Sequence, residues 1–200
     1  KHGNFIRKTK FNYNTNHMIM PAPVELNAGG NINLQAGKDI DAYTTRFYTP
    51  QGRTTLIAGE ELNLLAEQGI HEHKLKTQKN SRFIGIKIKN KNYSRKELTE
   101  TRLPVKVIAQ GANTLSGWNT VLEGTDFSTG LQGAVIQAGV GDKARADAKI
   151  ILKGIRTTVS TEEKSNSKSA VWQSMAGKGS TVETLQLPKF EGPAAPVLSA

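Results

Sequence analysis

Apolar residues fall in runs of three to five along residues 21–70 and again along 104–155, and Gly, Asn or Asp interrupts them every six to nine residues. Val24–Leu26, Ile32–Leu34, Thr54–Ile57, Leu62–Leu64, Val105–Ile108 and Ala134–Gln137 are such runs. They are too short for helices, and the breakers recur too often for a 3.6-residue period, so each predicts a β-strand. A strand of this length cannot bury its apolar face alone. Laid about 4.8 Å above a copy of itself it closes a continuous column of Leu, Ile and Val. Small Ala and Gly then suit the corners, and Asn suits side-chain ladders from one winding to the next. The expectation is an all-β chain built as a parallel β-helix. Its inward positions would be Leu26, Ile32, Leu34, Ile40, Leu56, Leu62, Leu64, Val107, Leu122, Ile136, Ile151 and Ile155.

Two phrases support the stacking. Leu26–Ile40 reads LNAGGNINLQAGKDI and Leu56–Ile70 reads LIAGEELNLLAEQGI, with seven of fifteen positions shared. The sequence thus predicts them as successive windings, thirty residues apart. A longer period is superposed on this one. Met20-Pro21, Leu103-Pro104 and Leu187-Pro188 each follow a polar, basic stretch, and the interval from Pro21 to Pro104 nearly equals that from Pro104 to Pro188. Between them Pro23–Leu34 aligns with Pro104–Leu115, and ETRLP answers ETLQLP. Repeats of this kind decide the architecture before any single motif does. The units predicted are 21–103 (windings 21–70, hairpin 71–103) and 104–187 (windings 104–155, hairpin 156–187), with 1–20 the return arm of a preceding hairpin and 188–200 the start of a further unit.

In the second half of each unit the pattern changes. Ile84, Ile86 and Ile88 alternate with Lys87, Lys89 and Lys91. That is period two, with an apolar and a basic face. Asn90, Asn92 and Ser94 supply turn residues, and Gly177-Lys178-Gly179 does so in the second unit. Both stretches predict antiparallel hairpins, near 75–102 and 161–187, as excursions from the β-helix.

Composition narrows the class further. Aromatics make up 6% of the chain and Gly is 19 of 200, so thin stacked layers suit it better than one large core. Cysteine is absent, which removes disulfides and thiolate metal sites. No apolar run reaches the roughly 18 residues that a membrane-spanning helix needs. The opening residues KHGNFIRKTK lack the apolar centre of a secretion signal, and the chain reads as an internal segment of a longer protein. The net charge of +10 favours anionic partners, although scattered positive charge also serves solubility.

The chain resembles the haemagglutinin-repeat region of two-partner-secretion exoproteins, the group of filamentous haemagglutinin adhesins and the contact-dependent growth inhibition (CdiA) toxins. The resembling marks are LNAGGNINLQAGKDI, RLPVKVIAQG with TVLEGTDF, and VWQSMAGKGSTVETLQLPKF, which cover roughly residues 20–200. The resemblance implies a right-handed β-helix in a bacterial surface filament, secreted through an outer-membrane transporter. It also implies a role in adhesion or in delivering a carboxy-terminal toxin to neighbouring bacteria. The expected partners are that transporter, neighbouring repeats of the same chain, and a target-cell surface offering outer membrane, glycan or lipopolysaccharide. The lack of cysteine fits a chain that crosses a pore unfolded.

Candidate chemistry is sparse. Gly139-x-Gly141-x-x-Ala144 is a minimal dinucleotide fingerprint, but Gly139 sits where Gly59 does in the first unit and no strand–helix–strand surrounds it. His71-Glu72-His73 places two imidazoles on one side of a strand without a third strong ligand nearby. A polysaccharide lyase on the same fold would need clustered carboxylates for Ca²⁺ beside an Arg or Lys base, and Asp39, Asp41, Asp126, Asp142 and Asp147 lie on different turns. No enzyme activity, cofactor or metal is expected. FIRKTKFNYN and KIKNKNYSRK pair cations with aromatics as a nucleic-acid surface would, but nucleic acid is the less favoured partner because these stretches fall where exposure is expected anyway. The candidate partner-contact surface is Arg82, Lys87, Lys89, Lys91, Tyr93, Arg95, Lys96, Trp172 and Lys178, with Lys164 and Lys168 beside it.

Overall fold

The computed structural model describes residues 6–84 and 86–200. The first five residues of the predicted return arm, and Gly85 in the first hairpin, lie outside them. Every regular element among the described residues is a strand. Packing divides the chain into two units. One takes the segment ending at Met20, with Gly69–Thr101 and Thr157–Thr184; the other takes Pro21–Gln68, Arg102–Arg156 and Leu185–Ala200.

The second of these units is a pair of parallel sheets. The larger sheet takes β2 (Glu25–Asn27), β3 (Ile32–Ala36), β5 (Arg46–Ala58), β9 (Lys106–Ser116), β11 (Asp126–Gln137), β15 (Lys189–Glu191) and β16 (Val197–Ser199). The smaller takes β4 (Ile40–Tyr43), β6 (Leu62–Leu65), β10 (Thr120–Glu123) and β12 (Ile150–Lys153), in the order β12-β10-β6-β4. The chain passes from one sheet to the other and returns beside itself. Leu34 lies in register with Leu56, and Ile40 with Leu62, so each pass is shorter than the interval between the two phrases. The phrase match is therefore not the pitch. Leu26 sits on Phe47, and the equivalence of Leu26 with Leu56 reflects two different strands that share one alternation of inward and outward positions.

Inward rows run from pass to pass. One is Leu26, Phe47, Val107, Phe127 and Phe190, in which the rings of Phe127 and Phe190 stack at 5.1 Å. Another is Ala42, Leu64 and Leu122, continued in register by Leu152, which is 49% exposed on the edge strand β12. Of the predicted inward set, Leu56, Leu62, Leu64, Val107, Leu122, Ile136 and Ile155 are buried, and Leu26, Ile32 and Ile40 pack against the core. Two differ. Leu34 is 36% exposed because it belongs to the first pass and has a neighbour on one side only. Ile151 is in register with Val121, between the inward pairs Thr120–Ile150 and Leu122–Leu152, so strand alternation turns it outward.

Hydroxyls share the interior. Thr49 and Thr54 hydrogen-bond each other at 3.1 Å, and Ser116 and Thr120 at 2.9 Å. These pairs let a β-branched or small polar side chain fill an inward position without leaving its oxygen unpaired. One expected ladder contact is present, Asn63 Nδ2 donating to Asp41 Oδ1 at 2.8 Å between register partners, and the corners add a second device. Asn31 Oδ1 accepts the Arg53 N–H, Asp39 Oδ1 the Glu61 N–H, and Asn119 Oδ1 the Lys149 N–H. Each side chain satisfies a backbone donor on another pass that has left the ladder. At the first corner, Thr44 takes a positive φ of 47° and is buried. Its Oγ1 donates to Leu103 O at 3.0 Å and accepts from Glu67 N–H at 3.1 Å.

The other unit is one antiparallel sheet in the order β1-β7-β8-β13-β14. Its strands are β1 (Ile6–Ile19), β7 (Glu67–Phe83), β8 (Ile86–Leu103), β13 (Ile155–Ser169) and β14 (Gln173–Gln186). Both predicted hairpins are longer than expected, because their strands begin directly after β6 and β12. They also join: β8 pairs with β13 from Glu100–Thr158 to Lys89–Ser169, and β1 pairs with β7 from Ile6–Phe83 to Ile19–Ile70.

Candidate functional site: the cationic end of the antiparallel sheet

All the predicted contact residues lie in this sheet or its turns. Arg82 is on β7, Lys87 to Lys96 are on β8, Lys178 is on β14, and Trp172 closes the β13–β14 turn. The sheet does not treat them alike. Toward one end, carboxylates alternate with cations and hold them. Glu72 bonds Lys74 at 2.6 Å and Lys96 at 2.9 Å. Arg95 pairs with Glu97 and reaches Glu163 at 3.7 Å, which Lys178 also meets at 3.2 Å. Lys164 pairs with Glu162 at 2.5 Å. Arg95, Lys96 and Lys178 thus belong to a cross-strand network, the ionic counterpart of the side-chain pairs that fix register in sheets, while Lys164 is held by Glu162 on its own strand.

The network shows in the carboxyl groups. Hydrogen bonds from Lys74 and then Lys96 bring Glu72 from 4.5 down to about 2. Lys178, with help from the Tyr93 hydroxyl, holds Glu163 below the ordinary range, and Lys164 does the same for Glu162. A carboxyl whose pKa is lower folded than unfolded stabilises the fold above its unfolded pKa and loses that contribution as pH falls. For Glu72 the contribution is complete above pH 4.5 and fades toward pH 2. Urea midpoints of the Glu72→Gln variant should therefore change less than the parent's between those two values. Equal slopes would remove Glu72 from the acid response.

Toward the turns the carboxylates stop. Residues 6–12, 77–84, 86–92 and 166–175 contain nine Lys and Arg and no Asp or Glu. Register brings these stretches to one end, since Ile6 faces Phe83 and Lys89 faces Ser169. Lys8, Lys10, Lys79, Lys89 and Lys91 line a shallow concavity of ≈ 370 Å³ with Ser81. None of the five makes an ion pair among the described residues. Lys8, Lys10 and Lys79 escape sequence reading because the pairing of β1 with β7 joins segments far apart in the chain. The absence of acidic residues from four separate stretches is the signal that could have found them.

Above this cationic tier the apolar residues are uncovered. Ile84, Ile86 and Ile88, the predicted apolar face, are all exposed. Trp172 is 60% exposed and Val171 96%. The turn they form is closed by Ser169, whose N–H and Oγ both donate to Trp172 O.

The remaining motifs are structural. Gly139 and Gly141 lie in the β11–β12 loop with φ of 70° and 93°, where the Arg145 guanidinium stacks 3.7 Å over the Trp118 ring. His71 and His73 bond Asn16 and Asn14 through Nε2, at 2.6 and 2.7 Å, while Glu72 is engaged by Lys74 and Lys96. No group of three His, Cys, Asp or Glu able to hold a metal occurs among the described residues.

In chain order the parallel strands alternate with strand pairs that join one antiparallel sheet. Residues 13–98 match the family described as the hemagglutinin repeat. That span includes β1 from Tyr13 onward, β2 to β6, and β7 with most of β8. No curated protein and no solved structure matches the chain.

Proposed function

We propose that this chain is an internal segment of a large secreted bacterial surface protein of the filamentous haemagglutinin type, acting in adhesion rather than catalysis. Proteins with this repeat are secreted and surface-associated. In this reading the paired parallel sheets are windings of a right-handed β-solenoid, and 21–103 and 104–187 are its repeating units, with 1–20 and 188–200 from the units on either side. Export runs through an outer-membrane transporter of the two-partner type. The antiparallel sheet is the contact surface, and Arg82, Lys87, Lys89, Lys91, Tyr93 and Trp172 are its contact groups.

One observation carries the reading. The same order of elements, two passes through the parallel sheets followed by a strand pair, occurs twice in the chain. Chemistry is concentrated on the strand pairs, where projecting cations and aromatics are the usual anchors of recognition. The test is deletion of 80–96 behind a short Gly-Ser bridge. The shortened protein should keep a strand-type circular dichroism spectrum and lose adhesion to bacterial cells. Undiminished adhesion would remove the sheet as the contact surface. A lyase would instead release unsaturated product from acidic polysaccharide in a Ca²⁺-dependent way, and an absorbance assay reads that directly.

A further inference from the structure

The geometry points to a specific partner for the turn end of the antiparallel sheet: the surface of an anionic lipid bilayer, entered tip first by the two turns. This rests on the reading of the sheet as a contact surface and adds the chemistry of what it contacts.

Two independent features meet at that end. The first is charge. Nine cations without a carboxylate occupy the turn-proximal stretches, while Glu72, Glu97, Glu100, Glu162, Glu163 and Glu183 all lie farther from the turns. Solubility would be served by interspersed charges; segregation to one end makes a field of one sign, which attracts an anionic surface within about a Debye length. The second is the apolar character of the tips. Val171, Trp172, Ile84 and Ile86 are exposed at the two turns. Ile84 has φ of 43°, a conformation in which a β-branched residue is an outlier and Asn or Gly would be relaxed. A turn required only to reverse the chain would be more stable without it.

A soluble polyanion would satisfy the lysines and leave the tips in water. A bilayer takes both. Trp favours the headgroup level, aliphatic tips enter the acyl boundary, and lysines just behind them meet lipid phosphates. The order of residues from the turns inward is the order of a bilayer's own layers.

The experiment uses the full chain with Trp118→Phe, so that Trp172 is the single tryptophan. Its probes are phosphatidylcholine vesicles with and without phosphatidylglycerol, and soluble polyphosphate. The expected result is sedimentation with phosphatidylglycerol vesicles, a blue shift of Trp172, and loss of both as salt is raised. Replacing Lys87, Lys89 and Lys91 together by Gln should weaken binding on the order of a hundredfold, about fivefold for each near-surface lysine. Ile84→Asn relaxes the turn and so should leave folding intact while lowering vesicle binding, as should Val171→Asp. Equal binding to both vesicle types, or none to phosphatidylglycerol, overturns the inference. So does binding to polyphosphate and vesicles alike with no effect of Ile84→Asn or Val171→Asp, which would assign the site to soluble polyanions. If vesicle binding is absent while deletion of 80–96 still abolishes adhesion to cells, only the lipid assignment falls.

Discussion

Leu56→Asp is expected to abolish cooperative folding of the parallel sheets, while the same replacement at Leu34 leaves a folded protein. The two leucines are register partners, each opening the phrase Leu-x-Ala-Gly. Leu56 is fully buried, with Leu34 on one side and Thr114 on the other. A carboxylate there loses its water and finds no cation in a row of aliphatic and hydroxyl groups. The penalty is several kcal/mol, added to the roughly 2–5 kcal/mol lost when a buried leucine is removed. Together these approach the whole stability of a typical domain, about 5–15 kcal/mol. At Leu34 the carboxylate keeps contact with solvent, and the loss should stay near ~1 kcal/mol, typical of a partly exposed site. Urea denaturation followed by circular dichroism separates the outcomes. Equal midpoints for the two variants would mean that the row does not run as described.

The second large effect is expected at a glycine. Gly37, Gly59 and Gly117 form a corner column, in which a Cβ on Gly59 would overlap Gly37 O and one on Gly117 would overlap Gly59 O. None of the three has a positive φ. The constraint is close approach of backbone to backbone, and backbone cannot rotate away as a side chain can. Gly117→Ala should therefore destabilise by about 3 kcal/mol, the upper part of the range for overpacking. Gly29→Ala is the control, since nothing lies within 4 Å of its would-be Cβ, and it should stay within about 1 kcal/mol of the parent. Comparable losses for both would indicate a general intolerance of Cβ at corners.

Local pattern makes much of this legible. Leu62 and Leu64 alternate with outward positions and are followed by breakers, and strand physics places such residues inward whatever the partner. The pitch is less accessible. Leu34 stacks on Leu56 and Leu26 on Phe47, one position apart in their offsets. Leu and Phe are different words for the same inward position, so matching letters favour the wrong interval. Phe47, Phe127 and the buried threonines are hidden for the same reason, because an inward row demands volume rather than identity. In the contact surface, the basic β8 strand is visible as alternation. Its division is not: Arg95 and Lys96 are held by carboxylates from β13 and β7, whereas Lys89 and Lys91 are not, and that depends on which strands are neighbours.

Thr44, whose hydroxyl bridges Glu67 N–H and Leu103 O, marks the point where the first excursion begins and ends. Its consequence is kinetic. Phe47 meets Val107 across the whole of that excursion, whereas Val107 meets Phe127 across a single pass. Joining ends about three times further apart along a flexible chain costs about 1 kcal/mol more in closure entropy. A hairpin, however, forms in microseconds from neighbouring residues. Once β7 and β8 have zipped, Glu67 and Leu103 already lie side by side, and the next pass docks as though it followed directly. Contact order taken over the whole chain would predict slow assembly, but the relevant search is the short one that remains after the hairpin has closed. Slowing the closure of β7 on β8 should then slow acquisition of the parallel sheets as well, although neither strand belongs to them.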